Sequence, residues 1–221
     1  MFLRIVCLLL ILFHSGDGLR SQSAEINSEK STWNVFLMGN SITSEWSRLR
    51  PEFFTQHILD QDTCVLFNRG VTSETTRQML LRYEHDILSE QPDVVVLLAG
   101  INDVAENEGS VSDSAIVGNI ERMILDAKAK DAQVVLCSIL PVKTFHWRKR
   151  IQPADRIVSL NFQLKALAER TKSLWLDYHV VLSNAEGGMN PELAKDGVHP
   201  TAAGYAIMEP LLLQALDHCL H

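Results

Sequence analysis

The stretch VFLMGNSITSEW (Val35–Trp46) joins a run of four apolar residues to a glycine turn that ends in a serine. Continuous apolar runs of this kind are typical of strands buried on both faces, as in a parallel sheet covered by helices. Gly39 allows the backbone to bend sharply after such a strand, and Ser41 then presents a hydroxyl group. Ser41 alone could equally be a helix cap, because serine is a preferred N-cap residue.

Further apolar runs alternate with segments of helical spacing. We predict five strands, over Asn34–Gly39, Thr63–Asn68, Asp93–Ala99, Gln133–Ser138 and Ser173–Tyr178. Helical spacing is found over residues 73–88, 111–130 and 155–170 and after Pro200. Alternating strands and helices indicate an α/β fold with right-handed crossovers, so we predict a three-layer α/β/α sandwich around a five-stranded parallel sheet.

The N-terminal residues have the pattern of a secretory signal peptide. Arg4 precedes an apolar run over residues 5–13, and the small and polar residues HSGDG follow it. The run is shorter than the about 20 apolar residues of a membrane-spanning helix, although a single short anchor is the alternative. We predict a signal peptide over residues 1–18, a flexible leader over 19–32, one domain over 33–221, and export to the periplasm or outside the cell.

Composition and charge narrow the class of protein and its partners. The chain of 221 residues is 46% hydrophobic and 21% charged, which is typical of a globular protein. Its formal net charge of -7 argues against a nucleic-acid partner, and we expect no stable membrane insertion once the signal is removed.

Cys64 and Cys137 lie in apolar runs, so we predict buried thiols and no structural disulfide. The histidines form no recognisable metal-ligand motif, so we predict no metal and no cofactor.

Polar residues follow several of the predicted strands. They are Gly39-Asn40-Ser41, Asn68-Arg69-Gly70 and Gly100-Ile101-Asn102-Asp103, and the segment Asp196-Gly197-Val198-His199-Pro200 comes near the end of the chain. In open α/β sheets, ligands bind beyond the carboxyl ends of the strands. We therefore expect these segments to meet at one edge of the sheet.

Together these segments supply the groups that acyl transfer requires. Ser41 is the candidate nucleophile, His199 the candidate base, and Asp196 the carboxylate that orients the base. The backbone N–H groups of Ser41 and Gly70 and the side-chain amide of Asn102 are candidate oxyanion donors.

Each segment also has a simpler structural interpretation. His199-Pro200 could start the last helix, and Asp196-Gly197 is a common turn pair. Asp177, at the end of the fifth strand, is an alternative partner for His199, although a capping role is simpler. Unrelated caps have no reason to supply one full catalytic set at one edge, so the combination favours an enzyme.

The four blocks GNS, NRG, GIND and DGVHP resemble those of the SGNH hydrolase superfamily, also called the GDSL esterase/lipase family. The resemblance implies a flavodoxin-like sheet and a catalytic domain over 33–221 that cleaves esters through an acyl-enzyme. It implies that Ser41 is the nucleophile and an oxyanion donor, that Gly70 and Asn102 are the other donors, and that His199 and Asp196 complete the triad. Asn40 departs from the aspartate that the family usually has there, which affects loop rigidity or electrostatics.

The substrate is less well determined by the sequence. Phe145 and Trp147, together with Trp46 and Asn40, are candidate substrate contacts, because aromatic faces there could stack on a sugar or line a short acyl slot. The alternative is that these rings only pack. Export and the lack of a long apolar lid favour a small-molecule or glycan ester with a short acyl group, chiefly acetyl. A lysophospholipase or thioesterase-like acylhydrolase is the alternative enzyme, and a glycan-binding pseudoenzyme is the alternative from another class.

Overall fold

The computed structural model describes residues 32–59 and 62–221, which form one six-stranded sheet between helices. Its strands are β1 (Thr32–Gly39), β2 (Gln56–Leu59), β3 (Asp62–Gly70), β4 (Val94–Leu98), β5 (Gln133–Cys137) and β6 (Leu174–Leu176). Their order is β2-β3-β1-β4-β5-β6, and all pairings are parallel except that of β2 with β3. The α/β fold predicted from the sequence is confirmed.

The predicted number of strands was wrong by one. The additional strand β2 pairs antiparallel with β3 at the edge of the sheet. Its four residues, QHIL, alternate between exposed and partly buried positions, so they lack the continuous apolar run that identifies the central strands. An antiparallel edge strand on a mostly parallel sheet is a common feature of α/β proteins.

Seven α-helices lie within the described residues: α1 (Ser41–Leu49), α2 (Thr76–Asp86), α3 (Ile101–Val104), α4 (Asp113–Lys128), α5 (Ala154–Thr171), α6 (Tyr178–Leu182) and α7 (Ala202–Leu220). Helix α4 packs against α2 and α5, whereas α7 packs against α1 and α6. All five residues of β4 are buried, as expected for a central strand covered on both faces.

The chain order places the end of β1 at the point where the sheet changes direction. Strand β1 pairs with β3 on one side and with β4 on the other, so the chain runs first to one edge and then to the opposite one. Ligands bind at such topological switch points. Ser41 lies two residues after Gly39, the last residue of β1, so the fold places it at this switch point.

The predictions for the N-terminus fall almost entirely outside the described residues. Only Thr32, the last residue of the predicted leader, is described, and it begins β1. Within residues 32–59 and 62–221, no helix is long and apolar enough to cross a membrane. Cys64, Cys137 and Cys219 are free and buried, and Asp177 caps α6 by accepting a hydrogen bond from the amide of Val180.

Candidate active site

A chain of two hydrogen bonds joins Ser41, His199 and Asp196 at the carboxyl edge of the sheet. The Ser41 Oγ lies 2.9 Å from His199 Nε2, and His199 Nδ1 lies 2.6 Å from Asp196 Oδ2. A carboxylate can only accept, so Nδ1 carries a proton towards Asp196 and Nε2 is left to accept the hydroxyl proton of Ser41. The structure thus brings together the three residues that the sequence analysis proposed as a triad.

Ser41 is placed by its neighbour Asn40, which is the N-cap of α1. The Asn40 Oδ1 accepts a hydrogen bond from the Ile42 amide at 3.0 Å, and only 1% of the residue is exposed. Ser41 is therefore the first residue of the helix and not its cap. Its own amide has no acceptor within the helix, because the first amides of a helix lack partners in the preceding turn.

The loop that carries Asp196 and His199 is closed by its own hydrogen bonds. Asp196 Oδ1 accepts from the amides of Val198 and His199, at 2.9 and 2.8 Å. Gly197 has a φ of 78°, a left-handed conformation that glycine adopts without strain. At the end of the loop, Thr201 caps α7 by accepting from the Gly204 amide.

The same hydrogen bonds determine the ionisation of Asp196. Partial burial opposes the charged form, but the hydrogen bonds from the His199 ring and from the amides of His199 and Val198 outweigh it. Together with the favourable charge interaction of His199, they lower the pKa of the Asp196 carboxyl. The group is therefore ionised at neutral pH and holds the His199 ring in the tautomer that can accept a proton from Ser41.

Asn102 and Ser41 are the two candidate oxyanion donors that the structure places in the lining of one cavity. Asn102 lies at the start of α3, and its Nδ2 donates one hydrogen to the carbonyl of Glu74 at 2.9 Å. A side-chain amide has two hydrogens, so the second is left for a ligand. Both residues line a cavity of about 550 Å³.

Gly70 does not occupy the position that the sequence analysis gave it. Its amide donates to Asn68 Oδ1 at 2.9 Å, and the residue is not part of the cavity lining. A Cβ atom at Gly70 would lie 2.2 Å from the Ser44 nitrogen and 2.9 Å from the Asn40 oxygen. Gly70 is therefore needed for the close approach of β3 to α1, and its prediction as an oxyanion donor was wrong.

Ser73, three residues further along, lines the cavity instead. It is not a glycine, yet its φ is 69°. Within the described residues its amide donates no hydrogen bond. Ser73 was not predicted from the sequence, because a serine gives no sequence signal for a left-handed backbone.

The cavity wall combines polar side chains with the rings of His146 and Trp147. Its lining comprises Ser41, Thr72, Ser73, Gln78, Ile101, Asn102, Asn107, Glu108, His146, Trp147, Val198 and His199. Of these, Thr72, Gln78, Asn107 and Glu108 come from loops and helix starts whose convergence depends on the tertiary fold, and the sequence analysis did not identify them. The arrangement can activate a serine hydroxyl beside oxyanion donors, as acyl transfer requires.

Comparison with known proteins agrees with this chemistry. The model of the GDSL-like Lipase/Acylhydrolase family matches residues 37–207, a span that includes Ser41, Asn102, Asp196 and His199. The chain belongs to this family. It is a carboxylic ester hydrolase, so the enzyme class expected from the sequence is confirmed.

Several members and relatives of the GDSL-like family are similar over most of the chain. A GDSL-like lipase from Bacteroides thetaiotaomicron is 38% identical, with a TM-score of 0.77 over 87% of this chain and 90% of its own. An acetylxylan esterase from Geobacillus stearothermophilus is 26% identical over 160 residues, 67% of this chain and 70% of its own. A catalytic mutant of an acetylxylan esterase from the same bacterium is 20% identical, with a TM-score of 0.66 over 85% of this chain and 95% of its own, and shows the shared fold.

Three of the four candidate substrate contacts in this GDSL-family chain are buried in the core. Trp46 is 2% exposed, stacks on Phe53 and Tyr205, and donates from Nε1 to Glu209 Oε1 at 3.3 Å. Phe145 is 0% exposed. Neither ring can stack on a sugar, so the packing interpretation applies to both and the prediction of substrate contact was wrong. Asn40, buried as the cap of α1, does not line the cavity either.

Trp147 is the candidate contact that reaches the cavity. Its side chain is 43% exposed and lines the cavity beside His146. The Trp147 ring packs against the buried ring of Phe145, with centroids 5.2 Å apart, and against His146 at 4.7 Å. Phe145 therefore supports an exposed aromatic face at the entrance to the cavity.

Proposed function

We propose that this GDSL-family hydrolase removes short acyl groups, chiefly acetyl, from a carbohydrate or another polar alcohol. The observation that carries the proposal is the hydrogen-bonded series Ser41–His199–Asp196, whose serine and histidine line the same cavity as Trp147. Each residue then has one role: Ser41 is the nucleophile, His199 the general base and acid, and Asp196 the orienting carboxylate.

The first half of the reaction forms an acyl-enzyme. The Ser41 Oγ attacks the carbonyl carbon of the ester while its proton passes to His199 Nε2. The negative charge on the carbonyl oxygen is stabilised by the Ser41 amide and by the free hydrogen of Asn102 Nδ2, and we assign the third donor to the Ser73 amide in place of Gly70. When the intermediate collapses, the alcohol leaves with the proton from Nε2.

The second half regenerates the enzyme. A water molecule gives its proton to His199 Nε2 and attacks the acyl carbon, and the bond to Ser41 Oγ breaks. The carboxylic acid is released and the serine hydroxyl recovers its proton from His199. The ionised Asp196 stabilises the positively charged imidazole that forms in both halves.

The proposal of a small acyl group on a polar alcohol is supported by the cavity wall. Side chains of Gln78, Asn107 and Glu108 offer hydrogen-bonding groups to hydroxyls of the alcohol, and the Trp147 ring offers a face for a sugar ring. The similarity to an acetylxylan esterase favours the same choice. A lysophospholipase or thioesterase would instead need an apolar channel for a long acyl chain.

Two esters that differ only in acyl length, 4-nitrophenyl acetate and 4-nitrophenyl octanoate, test the acyl preference of residues 19–221. Acetate release from acetylated xylan, measured alongside, tests the carbohydrate. We expect turnover of the acetate and of the polysaccharide, and slow turnover of the octanoate. Faster turnover of the octanoate would favour the lysophospholipase or thioesterase alternative.

Ser41→Ala is the test of the nucleophile, and Ser44→Ala, at a partly buried serine on the same helix, is the matched control. Loss of all ester turnover in the first variant alone supports the proposal. Binding of acetylated xylan by the wild-type protein without turnover of any ester would support the glycan-binding alternative.

We also propose that residues 1–18 direct export to the periplasm or the outside of the cell. The support is the basic start, the short apolar run and the small residues that follow it. The N-terminus of the protein recovered from the producing cells tests this, and an intact Met1 in the cytoplasm would contradict it.

A further inference from the structure

A second, smaller cavity adjoins the catalytic one. It has a volume of about 280 Å³ and is lined by the start of α2, by α3, by the loop before α4 and by the first half of α4. Besides Glu108, the lining residues are Thr75, Arg77, Asp103, Gly109, Ser110, Val111, Ala115 and Asn119. We call it the α2/α4 groove. Glu108 lines both the groove and the catalytic cavity, so the two spaces meet at this side chain.

Glu108 is held in place at this junction by two groups of α2 and its cap. The Thr75 hydroxyl donates to Glu108 Oε2 at 2.5 Å, and Arg77 Nη2 donates to Oε1 at 3.2 Å. The Thr75 hydrogen bond, followed by that of Arg77, lowers the pKa of the Glu108 carboxyl. The junction therefore presents a fixed carboxylate beside a guanidinium.

These groups retain free hydrogen-bonding capacity. A carboxylate has about four acceptor positions and a guanidinium five N–H donors, so two contacts leave most of them available. The Arg77 side chain is 66% exposed and can reach a ligand in the groove. Adjacent acceptors and donors of this kind match neighbouring hydroxyl groups on a sugar ring, which donate and accept at once.

We propose that the α2/α4 groove is a second sugar subsite. It binds the sugar unit next to the acylated one, and the oligosaccharide passes from one cavity to the other beside the Glu108 side chain. This inference rests on the proposed function, since it requires that the alcohol is a carbohydrate. The charged side chains of Glu108 and Arg77 argue that the groove takes part of the alcohol and not the acyl chain. An acyl chain packed against them would displace water from a carboxylate and a guanidinium without replacing its hydrogen bonds.

Acetylated xylose and acetylated xylotetraose, which carry the same ester on one sugar unit or several, test the subsite. The quantity measured is the ratio of kcat/KM for the tetraose to that for the monosaccharide. We expect the wild-type protein to prefer the tetraose by about three- to tenfold, the effect of one net hydrogen bond.

Ala115→Trp is the test variant, because Ala115 lines the groove and not the catalytic cavity. The added indole fills the groove, so the ratio should fall to about one. Ala166→Trp introduces the same side chain at an exposed position of α5 that lines neither cavity, and it should keep the wild-type ratio. Turnover of 4-nitrophenyl acetate gives the active fraction of each preparation. Arg77→Ala is a second variant without added bulk, and it should also lower the ratio.

Four outcomes would overturn the inference. If wild type shows no preference for the tetraose, or if Ala115→Trp and Arg77→Ala keep the wild-type ratio, the groove is not a sugar subsite although the carbohydrate esterase stands. If Ala115→Trp selectively slows 4-nitrophenyl octanoate, the groove takes the acyl chain. If 4-nitrophenyl acetate is cleaved but neither acetylated sugar is, the carbohydrate proposal fails and the subsite fails with it.

Discussion

At the scale of single residues, Asn40 and Asp196 hold the two groups that we propose to react, the Ser41 hydroxyl and the His199 ring. The Asn40 side chain accepts a hydrogen bond from the Ile42 amide and so fixes the first turn of the helix that begins with Ser41. The Asp196 carboxylate accepts three hydrogen bonds, from the Val198 amide, the His199 amide and the His199 ring. The departure of Asn40 from the usual aspartate of the family therefore leaves the capping oxygen in place.

Asn40→Ala should lower the free energy of unfolding by about 1 kcal/mol, the usual effect of losing an N-cap side chain. Asn40→Asp should stay close to wild type, because an aspartate oxygen can accept the same Ile42 hydrogen bond. Urea denaturation of the three proteins measures both differences. Equal stability of Asn40→Ala and wild type would contradict the capping role of Asn40.

Asp196→Asn should reduce kcat for 4-nitrophenyl acetate by about 10³-fold or more, because an amide can donate to Nδ1 and stabilise the wrong tautomer of His199. It should also change the response of stability to acid. The native pKa of Asp196 is lowered from its ordinary value of 3.8, so its contribution to stability is present above that value and is lost as the pH falls through the native pKa.

Urea midpoints of wild type and Asp196→Asn at pH 7 and at decreasing pH below 3.8 test this contribution. The wild-type advantage that comes from ionisation should shrink as the pH falls. A difference between the two proteins that stays constant at every pH would mean that Asp196 is not stabilised in its charged form.

At the scale of elements, α1 and α7 are fastened to each other, which holds Ser41 opposite the loop of His199. The Tyr205 hydroxyl donates to the Ile42 carbonyl at 2.6 Å. Arg50, just after α1, donates to both carboxylate oxygens of Glu209 at 2.9 and 2.8 Å. Glu209 is only 8% exposed, so this pair replaces much of the water around the carboxylate.

Glu209→Ala should destabilise the protein by about 2 kcal/mol or more, because it leaves Arg50 partly buried without its main partner. The same variant should lower kcat/KM for esters, since Ser41 lies on α1 and His199 lies in the loop that leads into α7. Glu52→Ala is the matched control, because Glu52 also contacts Arg50 but its side chain is 61% exposed. That substitution should cost about 0–1 kcal/mol, and an equal effect of both would contradict the account.

Sequence patterns predicted the elements with continuous or periodic apolar character and missed the others. The five parallel strands and the four long helices were predicted because burial on both faces, or on one helical face, leaves a clear pattern. Strand β2 has only four residues and lies at an exposed edge, so it has no continuous apolar pattern in the sequence. The core position of Trp46 depends on Tyr205 and Glu209, which are far away in the sequence, so its burial could not be recognised locally.

The site was predictable to a similar degree. Ser41, Asn102, Asp196 and His199 occur in short motifs at ends of predicted elements, and the fold brings them to one edge. The distinction between Gly70 and Ser73 depends on which amide remains free after β3 packs against α1, and this requires the three-dimensional structure. The cavity wall depends in the same way on how separate loops converge.

At the scale of the whole molecule, the fold buries Cys64 and Cys137 in the sheet and Cys219 on α7. Burial raises the pKa of Cys64 and of Cys219 to about 11, and it raises that of Cys137 further. In the protein from residue 19 onward, native Cys64, Cys137 and Cys219 should therefore react slowly with 5,5′-dithiobis(2-nitrobenzoate) at neutral pH, and all three rapidly in urea. Rapid reaction of the native protein would contradict the buried positions.

The raised pKa values also predict a loss of stability in alkali. The thiols contribute their full stability below their ordinary value of 9.0, and the contribution is lost as the pH rises towards about 11, because the unfolded thiols ionise first. The urea midpoint should therefore fall over this interval. A smaller decline in Cys64→Ala would identify Cys64 as a contributor, whereas an unchanged decline would exclude it.

We propose above all that Ser41, activated by His199, is the nucleophile of this ester hydrolase. A fluorophosphonate reagent, which labels activated serines covalently, tests it most directly when the modified peptide is identified by mass spectrometry. We predict one adduct per chain, located on Ser41, with loss of esterase activity in proportion to labelling and little labelling of His199→Ala. Inactivation accompanied by an adduct on a different residue, or full activity of a protein labelled at Ser41, would contradict the role of Ser41 as nucleophile.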